Sequence, residues 1–316
     1  MPKYTFLLPA YKAAFLDKAL ISIRNQTYSD FCCLVSDDCS PENLKSIFDD
    51  TVGNDPRFVF RRNSENLGGK DLVAHWNLLV NMCQTEYFVL ASDDDLYDNQ
   101  FLEQIDALNE IYPQVNLYRA RGRRIYKDEK LLLEDYLWPE YESSLRFTFD
   151  MYSTYYLHCI ANYVFRTSSM QSRGGFISFP LAWFSDDATV LRESDKGVVN
   201  TRDILFSFRY SCLNISDKIG ESKECSWQKF LACVKFDEWM VAHLKRFENN
   251  LKQGEHAYWK VSTWGVRGKI EEQVNVCIPN LTKTEFVYAY KWLVRRGYVE
   301  GLIKKIQLVR HWFHGK

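Results

Sequence analysis

The sequence predicts an α/β fold built on a doubly wound, mostly parallel sheet with helices on both faces, over residues 1 to about 115. Three observations predict it. Four short apolar runs, Tyr4–Leu8, Phe31–Val35, Arg57–Arg61 and Tyr87–Ala91, alternate with segments of helical spacing, the pattern of successive β-α units. Most of these runs are apolar without alternation, as strands buried on both faces are. Polar clusters follow three of them at once: Pro9-Ala10-Tyr11, Asp37-Asp38 and Asp93-Asp94-Asp95. In such sheets ligands bind outside the carboxyl ends of the strands, so these clusters are expected to converge on one edge.

Each element has its own justification. Pro9 closes the first run, and Ala14, Leu16, Ala19, Leu20 and Ile23 then fall on one helical face, with Asp17 early and Arg24 late to suit the helix dipole. Ser36-Asp37-Asp38-Cys39-Ser40-Pro41 ends the second run and leads into a helix over Glu42–Asp50. The turn-rich Asn63–Gly69 precedes a helix from Asp71 to Cys83. After the acidic run a helix is predicted over Gln100–Tyr112, with Phe101, Leu102, Ile105 and Leu108 at core spacing. Strands are read at Leu117–Arg121, Ile160–Arg166 and Val198–Thr201, and a helix opening near Leu181–Ala188 carries Asp186 and Asp187 in its first turn. Trp227–Asn250 is helical, and helical segments continue to the end of the chain. No internal repeat is present.

Composition bounds the function classes. Hydrophobic residues make up 46% and charged residues 26% of 316 positions, which describes a globular chain and excludes disordered and collagenous classes. Lys and Arg total 40 against 41 Asp and Glu, so a globally basic nucleic-acid binder is not indicated. The nine Cys show no zinc spacing and read as reduced, buried thiols of a cytoplasmic protein. The opening MPKYTFLLPAYKA has too short an apolar run for a signal peptide, and no stretch approaches the roughly 20 residues needed to span a bilayer.

The acidic run VLASDDDLYD admits two readings. Asp favours turns and helix N-caps, so a solvated acidic loop is one. The other is a cation site, because adjacent carboxylates at a strand end offer oxygen ligands to a divalent metal and leave positions for substrate phosphates. Asp37-Asp38, at the end of a neighbouring strand, can accept hydrogen bonds from a nucleobase or ribose. Two such clusters on one sheet edge favour a nucleotide-diphosphate site. Competing sites fail on their residues: Pro9–Ala14 stands where a dinucleotide fold needs GxGxxG, Gly68-Gly69-Lys70 is followed by Asp71 rather than Ser or Thr, and no GxSxG elbow occurs.

Five segments in order, Leu8-Pro9-Ala10-Tyr11, Val35–Ser40, Asn66-Leu67-Gly68-Gly69, Leu90–Asp95 and Trp183-Phe184-Ser185-Asp186-Asp187, together resemble the signature of the family 2 inverting glycosyltransferases with the GT-A fold. The resemblance covers residues 4 to 200 or so. It implies that Pro9, Ala10 and Tyr11 border the nucleotide base, that Asp38 binds the base or its ribose with Asp37 supporting the turn, and that Asn66, Gly68, Gly69 and Lys70 lie near the sugar diphosphate. Asn77 matches a helix Asn of the family. Asp93 and Asp95 would hold a divalent metal, Mn²⁺ or Mg²⁺, with Asp93 and Asp94 near the donor sugar. Asp187 would be the base that deprotonates the acceptor hydroxyl, supported by Asp186; an N-capping acid is the alternative. Two departures matter. Ala91 stands where the family commonly has an acid, which leaves open which of Asp93, Asp94 and Asp95 faces the metal, and Cys39 replaces the Gly of the Val-Asp-Asp-Gly-Ser turn. Neither the Gln-x-x-Arg-Trp motif nor the membrane helices of the processive synthases occur, so transfer of a single sugar is expected.

The function so implied is transfer from a nucleotide sugar, a UDP-sugar, to a glycan or lipid-linked acceptor in polysaccharide biosynthesis. A GT-A-shaped carbohydrate-binding or scaffold protein without catalysis is the alternative. Trp183 and His158 are acceptor-side candidates, each also readable as a packing residue. Arg119, Arg121, Arg123 and Arg124 read as a mostly solvated basic face. Residues 1–213 are expected to form the catalytic domain, with a nucleotide-binding half to residue 115, and 214–316 a helical region. In residues 301–313 basic and apolar positions alternate at helical spacing, which fits either a packing helix or peripheral contact with an anionic membrane surface.

Overall fold

The computed structural model describes residues 1–154, 156–211 and 222–314. The expected boundary at 213/214 lies outside the described residues. Two compact units are present: residues 1–178 with 189–212, and residues 179–188 with the chain from 213 on.

In the first unit the predicted alternation is observed: β1 (Tyr4–Ala10), α1 (Leu16–Arg24), β2 (Phe31–Asp37), α2 (Leu44–Val52), β3 (Phe58–Arg62), α3 (Gly68–Met82) and β4 (Tyr87–Leu90). It continues with β5 (Leu96–Tyr97), α4 (Phe101–Ile111), β6 (Leu117–Tyr126), β7 (Leu131–Glu134), β8 (Tyr141–Glu142), α5 (Ser144–Ser153), β9 (Tyr163–Arg166), α6 (Thr167–Ser172) and β10 (Val198–Tyr210), while α7 (Ser185–Glu193) is divided, its residues to Ala188 belonging to the second unit. The main sheet order is β3-β2-β1-β4-β9-β6-β10-β5. β3, β2, β1 and β4 run parallel, β9 is antiparallel to both β4 and β6, and β10 returns parallel to β6. The sheet is therefore mixed and mostly parallel in its first half.

Register fixes where the polar clusters fall. Leu7 lies opposite both Leu34 and Leu90, and Ala10 lies opposite Asp37. The ends of β1, β2 and β4 are thus level, and the segments after them emerge on one edge. Apolar burial holds this register, because a one-residue slip would turn Phe6 and Leu8 away from their neighbours. Phe6 packs edge-on to Phe31 and Tyr97, and Tyr4 stacks on Tyr87. Each fully buried ring of this kind contributes about 1.5–3 kcal/mol of transfer free energy. In α1 the predicted Leu16, Ala19, Leu20 and Ile23 are buried, whereas Ala14, expected on the same face, precedes the helix and is exposed.

Three expectations need correction. Ile160–Asn162 is a short 3₁₀ turn rather than strand, with the buried Asn162 side chain donating to the Ala120 carbonyl. The closing strand runs to Tyr210, well beyond Thr201. Arg119 belongs to no solvated face: it is fully buried, ion-paired with Asp135, and its guanidinium lies over the Tyr156 ring at 4.0 Å. Sequence alternation marks strand faces but not which face a later element covers.

The second unit holds α8 (Lys223–Glu248), α9 (Glu255–Cys277), α10 (Lys283–Arg295) and α11 (Gly301–His314). The Phe179–Ala188 segment packs on α8, where Phe184 stacks on Phe236 at 4.2 Å and Lys229 lies 3.8 Å over the Trp183 ring. The tail helix is docked through Trp312, which stacks on Phe286 and donates to the Leu281 carbonyl. Leu308 is buried, while Ile306 and Phe313 are exposed; the side chains of Leu302 and Ile303 lie outside the described residues. Among the described residues no helix is long and apolar enough to cross a membrane.

Candidate active site

The three strand-end clusters are joined by hydrogen bonds. Asp38 N–H donates to the Ala10 carbonyl, and Ser40 Oγ donates to the Tyr11 carbonyl at 2.6 Å. Asp37 is fully buried; its carboxylate accepts Ser40 N–H and pairs with Arg62. These contacts tie the Asp37 carboxylate to the turn at Ser40 and to the end of β3. Cys39, in the family's glycine place, adopts φ 55°, so the tight turn is retained with a residue that this backbone disfavours.

Asp38 closes the next connection. Its Oδ1 accepts Asn63 Nδ2 and Leu67 N–H, and its Oδ2 accepts Gly68 N–H at 2.6 Å. An acid here also complements the N-terminal end of α3. His75, buried on that helix, stands behind it: Nδ1 is 3.6 Å from Asp38 Oδ2, and Nε2 meets Ser36 Oγ and Asn63 Nδ2. Burial lowers the His75 pKa. Asn66 caps the same turn by accepting Gly69 N–H, whereas the exposed Lys70 side chain pairs with Glu65. Asn77 binds both the N–H and the carbonyl of Phe176. Gly175 must remain glycine there, since φ is +78° and a Cβ would lie 2.2 Å from Asn77 Oδ1.

The acidic turn sits directly against the end of β1. Asp93 Oδ2 accepts the N–H groups of Tyr11 and Lys12 at 2.9 and 2.8 Å. Lys12 Nζ reaches Asp94 Oδ2 at 2.5 Å and Asp93 Oδ1 at 3.1 Å. Asp95 Oδ1 accepts Arg209 N–H, and the buried Arg209 guanidinium donates to the Asp94 carbonyl and reaches Glu129. Ser211 Oγ lies 3.4 Å from Asp94 Oδ2. All three acids are at most 5% exposed.

This donor set fits a divalent cation. The Lys12 ammonium pairs with Asp93 and Asp94, and burial, followed by the charge of Asp94, pushes Asp95 up to about 8. Burial likewise raises Asp93. Ionising these acids is thus costly in the protein alone, and a divalent cation among their hard oxygen donors, which suit Mg²⁺ or Mn²⁺, would favour their charged forms.

Of the remaining predicted residues, Asp186 and Asp187 lie in the first turn of α7 and are half-buried. Before them Leu181, Ala182 and Phe184 all take left-handed backbone, at φ 58°, 56° and 64°. Three such residues in one short segment mark it as a shape held by its packing on α8. His158 Nδ1 meets the Tyr163 hydroxyl at 3.1 Å. Lys12, Arg209, Asn63 and His75 are contributors that sequence reasoning missed. Lys12 adjoins a recognised motif and was within reach of it; Arg209 is brought in by a strand more than a hundred residues distant from the acids.

An open parallel half-sheet with an acidic turn at its carboxyl edge, continued by a mixed half in which β9 runs antiparallel, is the GT-A architecture of nucleotide-sugar-dependent transferases. A family model described as glycosyl transferase family 2 matches residues 5–170. The chain belongs to glycosyl transferase family 2. A curated relative from Campylobacter jejuni, a GalNAc(5)-diNAcBac-PP-undecaprenol beta-1,3-glucosyltransferase, is 26% identical over 154 residues, 45% of this chain. The match spans about half of that relative's length, 49%. Among solved structures, S. aureus TarS residues 1–349 in complex with UDP-GlcNAc superposes with a TM-score of 0.61 at 13% identity, covering 93% of this chain and 92% of that one. The mannosyltransferase PcManGT from Pyrobaculum calidifontis, in complex with GDP-Man and Mn²⁺, gives 0.52 at 14% identity over 98% and 79% of the two chains. At these identities the structural likeness speaks for the fold.

Proposed function

We propose that the chain is a metal-dependent, inverting glycosyltransferase that moves one sugar from a UDP-sugar to a glycan or lipid-linked acceptor in polysaccharide biosynthesis. The observation that carries the reading is the buried acidic turn Asp93–Asp95 bonded to the backbone of Tyr11 and Lys12 at the carboxyl edge of the sheet. Family membership supports it, as does the naming of a lipid-linked acceptor in the Campylobacter relative and of UDP-GlcNAc in the TarS complex.

In this reading Pro9, Ala10, Tyr11 and Asp38 border the nucleoside, with Asp38 orienting the Leu67–Gly68 backbone beside it. Asn66, Gly69 and Lys70 flank the diphosphate, and Asp94 lies toward the donor sugar. A divalent cation held by Asp93 and Asp95 would neutralise charge on the leaving diphosphate. Asp187, supported by Asp186, accepts the acceptor hydroxyl proton while the acceptor oxygen attacks the anomeric carbon. The bond to the diphosphate oxygen breaks on the opposite face, so configuration inverts and no covalent enzyme intermediate forms. Trp183 and His158 are assigned to the acceptor.

The chain is assigned to the cytoplasm, with peripheral contact at the inner face of the cell membrane through residues 301–313. Exposed Ile306 and Phe313 beside Lys304, Lys305 and Arg310 support that contact. Calorimetry tests the central reading: UDP binding that depends on Mn²⁺ or Mg²⁺ is expected, and its absence rejects the proposal. Asp187→Asn should retain UDP binding and lose turnover of the accepted donor. Removing residues 301–316 should reduce binding to anionic liposomes.

A further inference from the structure

Lys12 is placed unlike any other residue of the acidic turn. Its backbone N–H donates to Asp93 Oδ2, so its position is fixed by the carboxylate that its side chain also neutralises. The ammonium bridges Asp93 Oδ1 and Asp94 Oδ2, with the Lys12 side chain 27% exposed and both carboxylate side chains 7%. The cation therefore approaches from the solvent side and covers oxygen atoms of two buried acids. A lysine is a point charge on a flexible four-carbon stem, and withdrawal of this ammonium uncovers the carboxylates without movement of the backbone.

We propose that Lys12 is an internal counter-cation of this site: it occupies the carboxylates in the free protein, is displaced by the divalent metal, and then turns to the diphosphate of the incoming nucleotide. The inference rests on the function proposed above and names how its metal site is regulated. Asp93 Oδ2 already accepts two backbone N–H groups, so a divalent cation held by Asp93 and Asp95 competes with the ammonium for Asp93 Oδ1, and metal binding carries the work of breaking a partly buried ion pair. Metal alone is bound weakly. A nucleoside diphosphate gives the released ammonium a new anionic partner, so metal and nucleotide strengthen each other's binding, reciprocally as linkage demands. Lys12 thereby favours loading of metal and donor together.

The test is calorimetric titration of Mn²⁺ into the full chain and into Lys12→Gln, with and without UDP. Lys12→Gln should bind Mn²⁺ alone roughly tenfold more tightly than wild type, and the factor by which UDP tightens Mn²⁺ should shrink. Lys12→Arg, which keeps the charge, should remain a weak Mn²⁺ binder. Independently of any variant, Mn²⁺ should speed labelling of wild-type Lys12 by an amine-acetylating reagent, read by mass spectrometry, because the displaced amine is freed from its ion pairs. Unchanged Mn²⁺ affinity in Lys12→Gln, or Lys12 labelling that Mn²⁺ leaves unchanged or slows, overturns the inference. If wild type binds Mn²⁺ and UDP normally in that event, the transferase reading stands; if wild type binds neither, both fall.

Discussion

The Asp38 carboxylate accepts the backbone N–H of Gly68 at 2.6 Å, which ties the turn after β2 to the first turn of α3. A Cβ on Gly68 would stand 2.9 Å from that carboxylate oxygen. Gly68→Ala should therefore push Asp38 out of place and weaken UDP binding about tenfold, at a stability cost of ~1 kcal/mol, whereas Asp38→Ala, which removes the acceptor of the Leu67 and Gly68 N–H groups and of Asn63 Nδ2, should cost about 1–2 kcal/mol. Nucleotide titration and thermal melting of the two variants check this.

Cys39 at φ 55° occupies backbone that glycine enters freely. Cys39→Gly should raise stability by up to ~1 kcal/mol, the relief of left-handed strain exceeding the added freedom of the unfolded chain. A melting temperature below wild type would show that the Cys39 side chain packs to advantage.

Arg119 and Asp135 form a fully buried ion pair, and Arg119 also donates to the Leu157 carbonyl. Removing one partner strands the other charge in the interior, so Asp135→Leu and Arg119→Met should each cost about 3–5 kcal/mol. The double variant should lose clearly less than the sum. Denaturant unfolding of the four proteins gives the coupling.

Glu142 is buried beside Asp150, and burial first, then its hydrogen bond with Asp150, pushes its carboxyl up to about 8 from the ordinary 4.5. Below pH 4.5 folded and unfolded chains both carry the proton. Between 4.5 and 8 the unfolded chain releases it while the folded chain keeps it, so this group's stability contribution is lost as pH rises. The melting temperature should fall by several degrees from pH 6 to pH 9, and Glu142→Gln, which is neutral throughout, should flatten that slope.

How much was legible follows from the range of the interactions. The β-α units to Leu90 were readable because each rests on local periodicity, and the clusters at Pro9, Asp37 and Asp93 converge because parallel strands in register bring their ends level. The Asp37 and Asp38 turn was readable in position but not in bonding: that Asp38 is engaged by Leu67 and Gly68 depends on an approach across thirty residues. Arg119 was misread because its cover, Asp135 and Tyr156, comes from segments without periodic signal. The left-handed residues before Asp186 left no mark either, since Leu181, Ala182 and Phe184 are not residues that announce such a turn.

β10 delivers Arg209 and Ser211 to an acidic turn made more than a hundred residues earlier. In the order in which a ribosome releases the chain, the β1–β4 half can form while Asp94 and Asp95 still lack these partners. A truncated chain ending before Ser207 would carry the nucleotide-side backbone without its finished acidic centre. The acidic turn is thus completed only when the end of β10 has been made, so its full set of contacts belongs to the finished chain rather than to its first half.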